Sequence, residues 1–168
     1  MPESKYDQPG KLHALGQKVD QVPSTPDFSL LEAFPNRFTE RLYLVSMVFP
    51  EFTSLCPVTG QPDFGVISLE YLPAKLCVES KSFKIYLFAY RSHQSFMETI
   101  TNNILSDIIN LLDPYWCRVK GLFAPRGATH IHVFCEHFKT GLNPEKEAEI
   151  RSYVNNWRTE ANPHQRGL

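Results

Sequence analysis

Residues 51–64, EFTSLCPVTGQPDF, hold a cysteine and an aspartate in one stretch punctuated by proline and glycine. Cys56 is a candidate nucleophile, because free N–H groups in a loop can lower the pKa of a thiol and favour the reactive thiolate. Asp63 is a candidate proton donor for the same reaction. A buried, inert Cys56 and an Asp63 that only forms a turn are the alternatives that the residues leave open. We predict that Cys56 is more accessible than Cys117 or Cys135, which lie in strand alternation, and that the side chains of Cys56 and Asp63 lie on one rigid loop.

Residues 79–84, ESKSFK, open a predicted helix and form a second candidate group. The free N–H groups and the dipole at a helix start favour an anion, and Lys81 and Lys84 add positive charge. Glu79 carries a carboxylate that can accept two hydrogen bonds from a guanine-like edge. The alternative is that Glu79 and Ser80 only cap the helix and that the lysines are solvated.

Glu98 and Arg126 are further candidates. Glu98 follows Met97 beside the apolar stripe of the second long helix, where it either caps the helix or binds a purine. Arg126, in a predicted turn, either meets a phosphate or is solvated. His130 and His132 alternate along a predicted strand, which favours a polar strand face over a metal site.

Hydrophobic periodicity predicts the order strand, strand, helix, helix, strand, strand, with Pro50 and Pro73 closing the first two strands. These elements form an α+β unit, an antiparallel four-stranded sheet with two helices on one face. Its other face and its edges would be open, so we expect a homo-oligomer. The predicted strands cover 41–49, 64–72, 115–123 and 129–135, and the predicted helices cover 28–34, 80–91, 95–112 and 141–158.

The chain divides into three predicted parts. Residues 1–27 contain four prolines and predict an irregular arm, 28–140 form the domain, and 141–168 form a C-terminal helix and tail. Asp27 and Ser29 are the cap candidates of the first short helix. Ser92 or Ser95 is expected to cap the second long helix, with Glu98 in the capping-box position of Ser95.

The composition limits the class of protein. A chain of 168 residues, 42% hydrophobic and 21% charged, is large enough for one domain with a real core. Its formal net charge of -1 disfavours direct nucleic-acid binding. No apolar run has the length of a membrane span and residues 1–20 lack a signal-peptide core, so we expect a cytoplasmic protein without membrane contact. The four cysteines include no CxxC pair, which favours reduced thiols over a zinc site.

Three motifs carry a family resemblance: residues 51–64, residues 78–87 (VESKSFKIYL) and residues 125–127 (PRG). With these motifs the chain resembles the NADPH-dependent 7-cyano-7-deazaguanine reductases, the nitrile reductases of queuosine biosynthesis, in their short single-module form. Weaker agreement at residues 31–36 extends the resemblance over most of residues 12–140. The resemblance implies the tunnelling fold (T-fold) shared with GTP cyclohydrolase I, in which ββααββ subunits close into rings that stack, here as stacked pentamers.

The resemblance also implies roles for single residues. Cys56 would attack the nitrile carbon to form a covalent thioimide, and Asp63 would donate a proton as the thioimide forms and breaks down. Two NADPH molecules would supply the hydrides that lead to the primary amine, and no Gly-x-Gly-x-x-Gly element predicts a Rossmann site. The residues implied for the deazaguanine are Val78, Glu79, Ser80, Met97 and Glu98, and those implied for NADPH are Ser80, Lys81, Lys84, Arg126 and Gly127.

Met97 departs from the family pattern, which usually has histidine at this position, and methionine cannot transfer a proton. Ala128 replaces the second glycine of the family's Gly-Gly turn, which is a smaller change. Met97 prompts a second hypothesis, a divergent relative that passes the thioimide to an amine and forms an amidine, although the retained residues 79–81 and Arg126 argue against it. A non-catalytic deazapurine-binding or ring-forming protein is a third hypothesis, and a zinc cyclohydrolase of the same fold is the least favoured.

Overall fold

The computed structural model describes residues 23–159, so the predictions for residues 1–22 and 160–168 lie outside the described residues. The division at residues 27 and 140 stays a prediction. The helices are α1 (Ser80–Phe88), α2 (Met97–Leu112) and α3 (Pro144–Thr159), and the strands are β1 (Ala33–Pro35), β2 (Val45–Leu55), β3 (Pro62–Leu72), β4 (Leu76–Val78), β5 (Trp116–Phe123) and β6 (His132–Phe138). Short 3₁₀ helices occupy Phe28–Leu30 and Ala89–Ser92. Within residues 23–159, no helix combines the length and the apolar character that a bilayer crossing requires.

The four long strands form one antiparallel sheet in the order β2-β3-β5-β6. β2 pairs with β3 and β5 pairs with β6 as two hairpins, and α1 and α2 lie between these hairpins in the chain. Alternating side chains give the sheet one apolar face, which packs against the helices. The predicted ββααββ order and the α+β fold class are confirmed.

β2 is longer than predicted, because Pro50 does not end it. The strand continues to Leu55, and its pairing with β3 shifts register between Phe49 and Phe52. Pro50 has no N–H to donate to a neighbour, but β2 lies at the edge of the sheet, where an irregularity can accommodate a proline. The prediction that Pro50 closes the strand was wrong for this reason. The strand β2 therefore extends to the residue directly before Cys56.

β6 begins at His132, three residues after the predicted start at Thr129. Arg126 and Thr129 first close a tight turn through two backbone hydrogen bonds, both 3.0 Å long. His130 therefore precedes the strand, and the prediction that it lies on a strand face was wrong.

The apolar stripe predicted for α1 is confirmed, since Phe83, Tyr86 and Leu87 are buried. The stripe continues to the buried Tyr90 in the following 3₁₀ helix, although α1 itself ends at Phe88. At residues 28–34 the predicted helical turns shrink to one 3₁₀ turn, whose start Asp27 caps by accepting a 2.8 Å hydrogen bond from the backbone N–H of Ser29. This cap was predicted correctly.

The predicted caps of α2 were wrong. Its N-cap residue is Phe96, which has no hydroxyl and makes no side-chain capping bond. Ser95 lies one residue before the N-cap position, where its backbone N–H donates to the carbonyl oxygen of Leu55 at 3.1 Å, in a bridge to the end of β2. A tertiary contact therefore overrides the local capping signal.

The larger hydrophobic core lies between the sheet and the helices α1 and α2. Burying one large aliphatic or phenylalanine side chain in this core stabilises the fold by about 1.5–3 kcal/mol relative to leaving it exposed. Its members include Phe52, Ile67, Leu69, Val119 and Phe123 from the sheet and Ile100, Ile104 and Ile108 from α2.

The helix α3 packs on the opposite face of the sheet, which the sequence predicted to be open. Ile150 and Val154 of α3 are buried with Leu72 and Trp116 in a second core. Leu72 and Trp116 alternate with the core residues of β3 and β5, so they point to the other face. α3 therefore covers one end of that face.

β1 and β4 pair as a small two-stranded sheet that the sequence did not predict, because three residues are too few to show an alternation. The backbone N–H of Val78 also donates to the Tyr71 hydroxyl of β3 at 3.2 Å. This contact fixes the start of α1 at one end of the main sheet.

Candidate active site

The connection between β2 and β3 is a six-residue hairpin loop, residues 56–61, because Leu55 pairs directly with Pro62. Two backbone hydrogen bonds close it, from Cys56 N to Gln61 O and from Gly60 N to Cys56 O, each 2.9 Å long. Gly60 has φ of +67°, a conformation that favours glycine. The loop is shorter than the stretch singled out in the sequence, so it holds Cys56 but not Asp63, and the prediction that both side chains lie on one loop was wrong.

The Cys56 side chain is nearly buried, with 8% exposure; it is more exposed than Cys117, as predicted, but less exposed than Cys135, so that part of the prediction was wrong. The Thr59 hydroxyl hydrogen-bonds the sulfur, as do Arg126 and the backbone N–H groups of Thr59 and Val58. These donors lower the pKa of Cys56 to about 6, against an opposing effect of burial. At neutral pH the thiolate is favoured, which is the state that a nucleophile requires.

Asp63 lies inside β3, directly opposite Ser54 of β2, and only 3% of its side chain is exposed. Arg126 Nη1 is 3.0 Å from Asp63 Oδ1, within ion-pair distance. Oδ1 nevertheless makes no hydrogen bond of acceptable geometry to a described residue. The two groups form an ion pair at this distance, because Coulomb attraction tolerates misalignment, and the missing hydrogen bond leaves Oδ1 with capacity for a further partner.

Ser54 is a polar residue that the sequence suggested only as a neighbour of Cys56. Its side chain is fully buried, and Oγ has no hydrogen-bond partner among the described residues. Ser54 and Asp63 are cross-strand neighbours, so their side chains lie on the same face of the sheet. Ser54 Oγ and Asp63 Oδ1, which both lack a hydrogen bond, therefore form a small buried polar surface next to the loop. The available signal was the two-residue spacing between Ser54 and Cys56.

Arg126 reaches the loop from the turn between β5 and β6. Its Nη2 atom lies 3.3 Å from Thr59 Oγ1 and 3.5 Å from Gln61 Oε1. Gly127 and Ala128 both have positive φ, 54° and 67°, as a tight two-residue hairpin turn requires. Arg126 therefore contacts the candidate nucleophile and the candidate acid. Contacts of Arg126 and Gly127 with NADPH stay a prediction.

The start of α2 lies beside the same loop. Leu55 N donates to the carbonyl oxygen of His93 at 3.0 Å, in a parallel bridge centred on Gln94. Glu98, in the first turn of α2, is exposed. Met97 is 5% exposed and belongs to the hydrophobic core. Its direct contact with a deazaguanine stays a prediction.

The residues around the start of α1 form a separate group. Glu79 caps the helix by accepting hydrogen bonds from Lys81 N at 2.9 Å and Ser82 N at 2.6 Å, so the capping alternative is realised. Ser80 and Lys84 are exposed and line a groove of about 330 Å³ between α1 and β2. Purine binding by Val78 and Glu79 stays a prediction.

The two groups lie apart along the sheet. The backbone N–H of Val78 donates to the hydroxyl of Tyr71, and Asp63 lies eight residues before Tyr71 in β3, a strand that rises about 3.3 Å per residue. The separation between Asp63 and the attachment point of Val78 along β3 is therefore about 26 Å. Ser80 and Lys84 are nearer, because the groove that they line includes residues 47–51 in the middle of β2. One chain brings Cys56, Asp63 and Arg126 together with the start of α2, but it does not bring them to Val78 and Glu79.

Comparison with known proteins identifies close relatives. The family model described as QueF-like protein matches residues 62–141. A protein of Desulfovibrio desulfuricans named NADPH-dependent 7-cyano-7-deazaguanine reductase is 58% identical over 98% of this chain and 99% of its own length. A protein of the same name from Nitratidesulfovibrio vulgaris is 60% identical over 98% and 99%, and one from Neisseria meningitidis is 45% identical over 84% and 90%.

Among solved structures, the archaeosine synthase QueF-Like in its apo form matches with a TM-score of 0.50. It is 20% identical, and the match covers 61% of this chain and 96% of that one. This likeness supports the T-fold and nothing beyond the fold. The high identity of the curated relatives over nearly the whole chain shows that the chain belongs to the QueF-like family, together with proteins named NADPH-dependent 7-cyano-7-deazaguanine reductase.

Proposed function

We propose that this chain is an NADPH-dependent reductase of the nitrile group of 7-cyano-7-deazaguanine, acting in tRNA queuosine biosynthesis. The observation that carries the proposal is the pairing of Cys56, whose pKa is lowered to about 6, with the buried Asp63 in one rigid hairpin. A nitrile carbon is an electrophile that a thiolate attacks, and the nitrile nitrogen then needs a proton. The hairpin holds a group for each task.

The first bond forms between Cys56 Sγ and the nitrile carbon. Asp63 is ion-paired with Arg126, so it first takes up a proton from solvent; as the electron pair of the C≡N bond moves to nitrogen, Asp63 donates that proton to the nitrogen, and the product is a neutral covalent thioimide. Asp63 is suited to this role because it is held in β3, because it is buried, and because its Oδ1 has capacity for a further hydrogen bond. Ser54 Oγ, unpartnered on the same face, supplies a second polar contact.

NADPH supplies the two hydrides that reduce the bound nitrile carbon to the level of a primary amine. The groups at the start of α1 fit the phosphates of this cofactor, since Ser80 offers a hydroxyl and Lys81 and Lys84 offer ammonium groups beside a helix N-terminus. The groove lined by Ser80 and Lys84 has an apolar wall that includes Phe83. Cys56 is released as a thiolate when the carbon–sulfur bond breaks, so its low pKa also suits the leaving group.

The deazaguanine is held, in this proposal, by Val78, Glu79 and Glu98. Met97 replaces a family histidine and packs in the core, so it transfers no proton. Asp63 therefore supplies the proton for each step that needs one, and it must be reprotonated from solvent between steps. We expect this arrangement to slow the reduction without changing its product.

The complete site forms, we propose, where two chains of a homo-oligomeric ring meet. The support is the separation of about 26 Å along β3 between the Cys56 group and the Glu79 group of one chain. The stacked pentamers implied by the family are the proposed assembly. The four unpaired cysteines support a reducing compartment, which we propose is the cytoplasm.

The decisive experiment incubates the protein with 7-cyano-7-deazaguanine and follows mass and NADPH absorbance. We expect a covalent adduct on Cys56 without NADPH, and oxidation of two NADPH per nitrile when the cofactor is added. Cys56→Ala should lose both signals, Asp63→Asn should lose turnover, and Cys135→Ala, remote from the hairpin, should keep both. Absence of the adduct and of substrate-dependent NADPH oxidation in the wild type would reject the proposal. Ammonia in place of NADPH tests amidine formation.

A mixing experiment tests the shared site. Cys56→Ala and Glu79→Gln chains are each expected to be inactive, and their equal mixture after dissociation and reassembly should recover about a quarter of the wild-type activity, because random pairing leaves that share of interfaces intact. Mixing Cys56→Ala with Asp63→Asn is the control, since both changes affect the same end of the sheet and no intact site can form. Equal results for the two mixtures would contradict the shared site.

A further inference from the structure

We propose that Arg126 and Thr59 are positioning residues that hold the Cys56 sulfur as a thiolate beside Asp63 before substrate or cofactor binds. The inference rests on the proposed role of Cys56 as the nucleophile, and it assigns to Arg126 a task other than meeting NADPH. The sequence indicated Thr59 only as a polar neighbour of Cys56, and the charge pairing of Arg126 with the hairpin was not expected from it.

The guanidinium of Arg126 lies at the centre of a cluster built from two hairpins. Nη1 is 3.0 Å from Asp63 Oδ1, and Nη2 is 3.3 Å from Thr59 Oγ1. Arg126 also hydrogen-bonds the Cys56 sulfur. One planar group with five donors can serve several acceptors at fixed angles, which an ammonium group cannot do.

Thr59 completes the cluster from within the loop. Hydrogen bonds from the side chain and the backbone N–H of Thr59 lower the pKa of Cys56, and the N–H of Val58 in the same turn has the same effect. The Thr59 hydroxyl oxygen also accepts from Arg126 and from Gln61 N, the latter at 3.3 Å. A hydroxyl can accept one hydrogen bond and donate another at the same time, so the Thr59 hydroxyl can link the guanidinium of Arg126 to the Cys56 sulfur.

The positions of these groups are fixed by backbone geometry. In the turn after β5, two backbone hydrogen bonds between Arg126 and Thr129, each 3.0 Å long, hold Arg126 over the loop. The loop itself is closed by two 2.9 Å bonds at Cys56. Arg126 is partly exposed, at 37%, whereas Asp63 is 3% exposed, so the arginine carries positive charge from the solvent side onto a buried carboxylate.

Few other charged groups compete for the sulfur. The segment that bridges to Leu55 carries His93, whose ring packs edge-on against Tyr90 with centroids 5.6 Å apart. The first turn of α2 carries Glu98, whose side chain is exposed. Asp63 is a third titratable group, after His93 and Glu98, and it forms an ion pair with Arg126. The cation nearest to Cys56 among these elements is therefore Arg126.

The experiment titrates Cys56 directly by the ultraviolet absorbance of its thiolate, with the Cys56→Ala protein subtracted at each pH. We expect half-ionisation near pH 6 in the wild type. Arg126→Gln and Thr59→Val should each move the midpoint upward by about one pH unit or more, because each removes a donor to the thiolate. Arg126→Lys should fall between wild type and Arg126→Gln, and Thr59→Ser should restore the wild-type midpoint.

The matched control is Arg151→Gln, which removes an arginine that pairs with Glu147 on the surface of α3. Its midpoint should equal that of the wild type. Midpoints of Arg126→Gln and Thr59→Val that equal the wild-type value would overturn the inference. If Arg126→Gln does not fold, the pair Thr59→Val and Thr59→Ser decides the question in the same way.

Failure of this inference can be told apart from failure of the proposed function, because the titration needs neither nitrile nor NADPH. Shifted midpoints in a protein that does not reduce the nitrile would reject the reductase function and keep the thiolate cluster. Nitrile reduction with unshifted midpoints, and a rise in the KM for NADPH alone in Arg126→Gln, would reject the cluster and assign Arg126 to the cofactor.

Discussion

At the scale of single residues, the cysteines show that surroundings determine the chemistry of a side chain. Burial raises the pKa of Cys117 to about 12 and that of Cys135 to about 11. Hydrogen-bond donors around Cys56 have the opposite effect and lower its pKa to about 6. Cys117 and Cys135 lie in β5 and β6 facing the core, whereas Cys56 lies in a hairpin whose N–H groups point at the sulfur. Near neutral pH these thiols differ greatly in thiolate content.

This difference predicts a pH dependence for alkylation. Because the pKa of Cys56 is lowered, its thiolate is present above pH 6 and is lost as the pH falls through that value. The rate of Cys56 alkylation by iodoacetamide should therefore fall about tenfold between pH 7 and pH 5. Peptide mass spectrometry measures the rate at each site. Cys117 serves as the internal control and should stay unmodified over this range, and a pH-independent rate at Cys56 would contradict the prediction.

Ala128 offers a test of backbone strain. Its φ of 67° lies in the left-handed region of backbone conformation, where a Cβ atom causes a steric penalty that glycine avoids. Ala128→Gly should raise the free energy of unfolding by about 0.5–1 kcal/mol, after the larger unfolded-state entropy of glycine is offset. Urea unfolding measures the change. Gly127→Ala, at φ of 54°, is the matched opposite change and should lower stability; an increase for Gly127→Ala would contradict the strain argument.

Local chemistry was predictable for some site residues and not for others. Cys56 and Asp63 were identified because a thiol and a carboxylate on a short punctuated stretch are visible in the sequence. Their burial and their pairing with Arg126 depend on a turn more than sixty positions away, which no local pattern encodes. Glu79 was given two roles, and the structure realises the capping role because its carboxylate oxygens meet the N–H groups of Lys81 and Ser82.

At the scale of elements, close packing of α2 on β5 has a specific steric requirement. A Cβ atom added at Gly121 would lie 2.6 Å from Thr101 Oγ1 and 2.7 Å from Phe123 Cε2. Real Cβ atoms do not approach side chains this closely, so the helix sits against a strand position that has no side chain. The register of α2 on the sheet, and with it the position of Glu98, depends on this contact.

We expect Gly121→Ala to lower the free energy of unfolding by about 1–3 kcal/mol, because extra volume in a packed core forces its neighbours to shift. Thermal unfolding followed by circular dichroism measures the loss. The double variant Gly121→Ala with Thr101→Ala removes the closest atom and should lose less than the sum of the two single changes. Strict additivity of the two losses would show that the contact does not limit the packing.

Helices and strands with clear periodicity were predictable, and their ends were less so. The stripes of α1 and α2 fixed the type of each element, because a 3.6-residue period repeats over several turns. The end of β2 and the cap of α2 were wrong for different reasons. β2 passes Pro50 because an edge strand can accommodate an irregularity there, and α2 begins one residue after Ser95, in a segment that bonds to Leu55.

At the scale of the whole molecule, a charged cluster lies on the face of the sheet opposite α1 and α2. Glu70, 1% exposed, accepts hydrogen bonds from Arg118 Nε at 2.9 Å and from Lys120 Nζ at 2.9 Å. Burial alone would raise the pKa of Glu70, but the hydrogen bonds from Lys120 and Arg118 lower it below its usual value. The cluster neutralises part of the positive charge of β5 in a nearly buried setting.

Because the folded-state pKa of Glu70 is depressed, its contribution to stability is present at neutral pH and is lost as the pH falls through that pKa. Glu70→Gln should lower the free energy of unfolding at pH 7 by about 3 kcal/mol, since it leaves two nearly buried cations unpaired. The difference from wild type should shrink as the pH falls through the lowered pKa of Glu70, because the wild-type carboxyl then becomes protonated too. Urea unfolding over a series of pH values from neutral to acidic measures it, with Glu40→Gln as an exposed control. A difference independent of pH would contradict this account.

The two edges of the sheet have unequal protection against templated strand addition. β2 carries a proline without an N–H, and its pairing is interrupted between Phe49 and Phe52. β6 pairs with β5 without interruption, and among the described strands no other strand covers its outer side. An uninterrupted row of free N–H and C=O groups is the template on which fibrous aggregates grow. Aggregation of the isolated chain is therefore expected to start from β6, and a charge or a proline placed on that strand should suppress it.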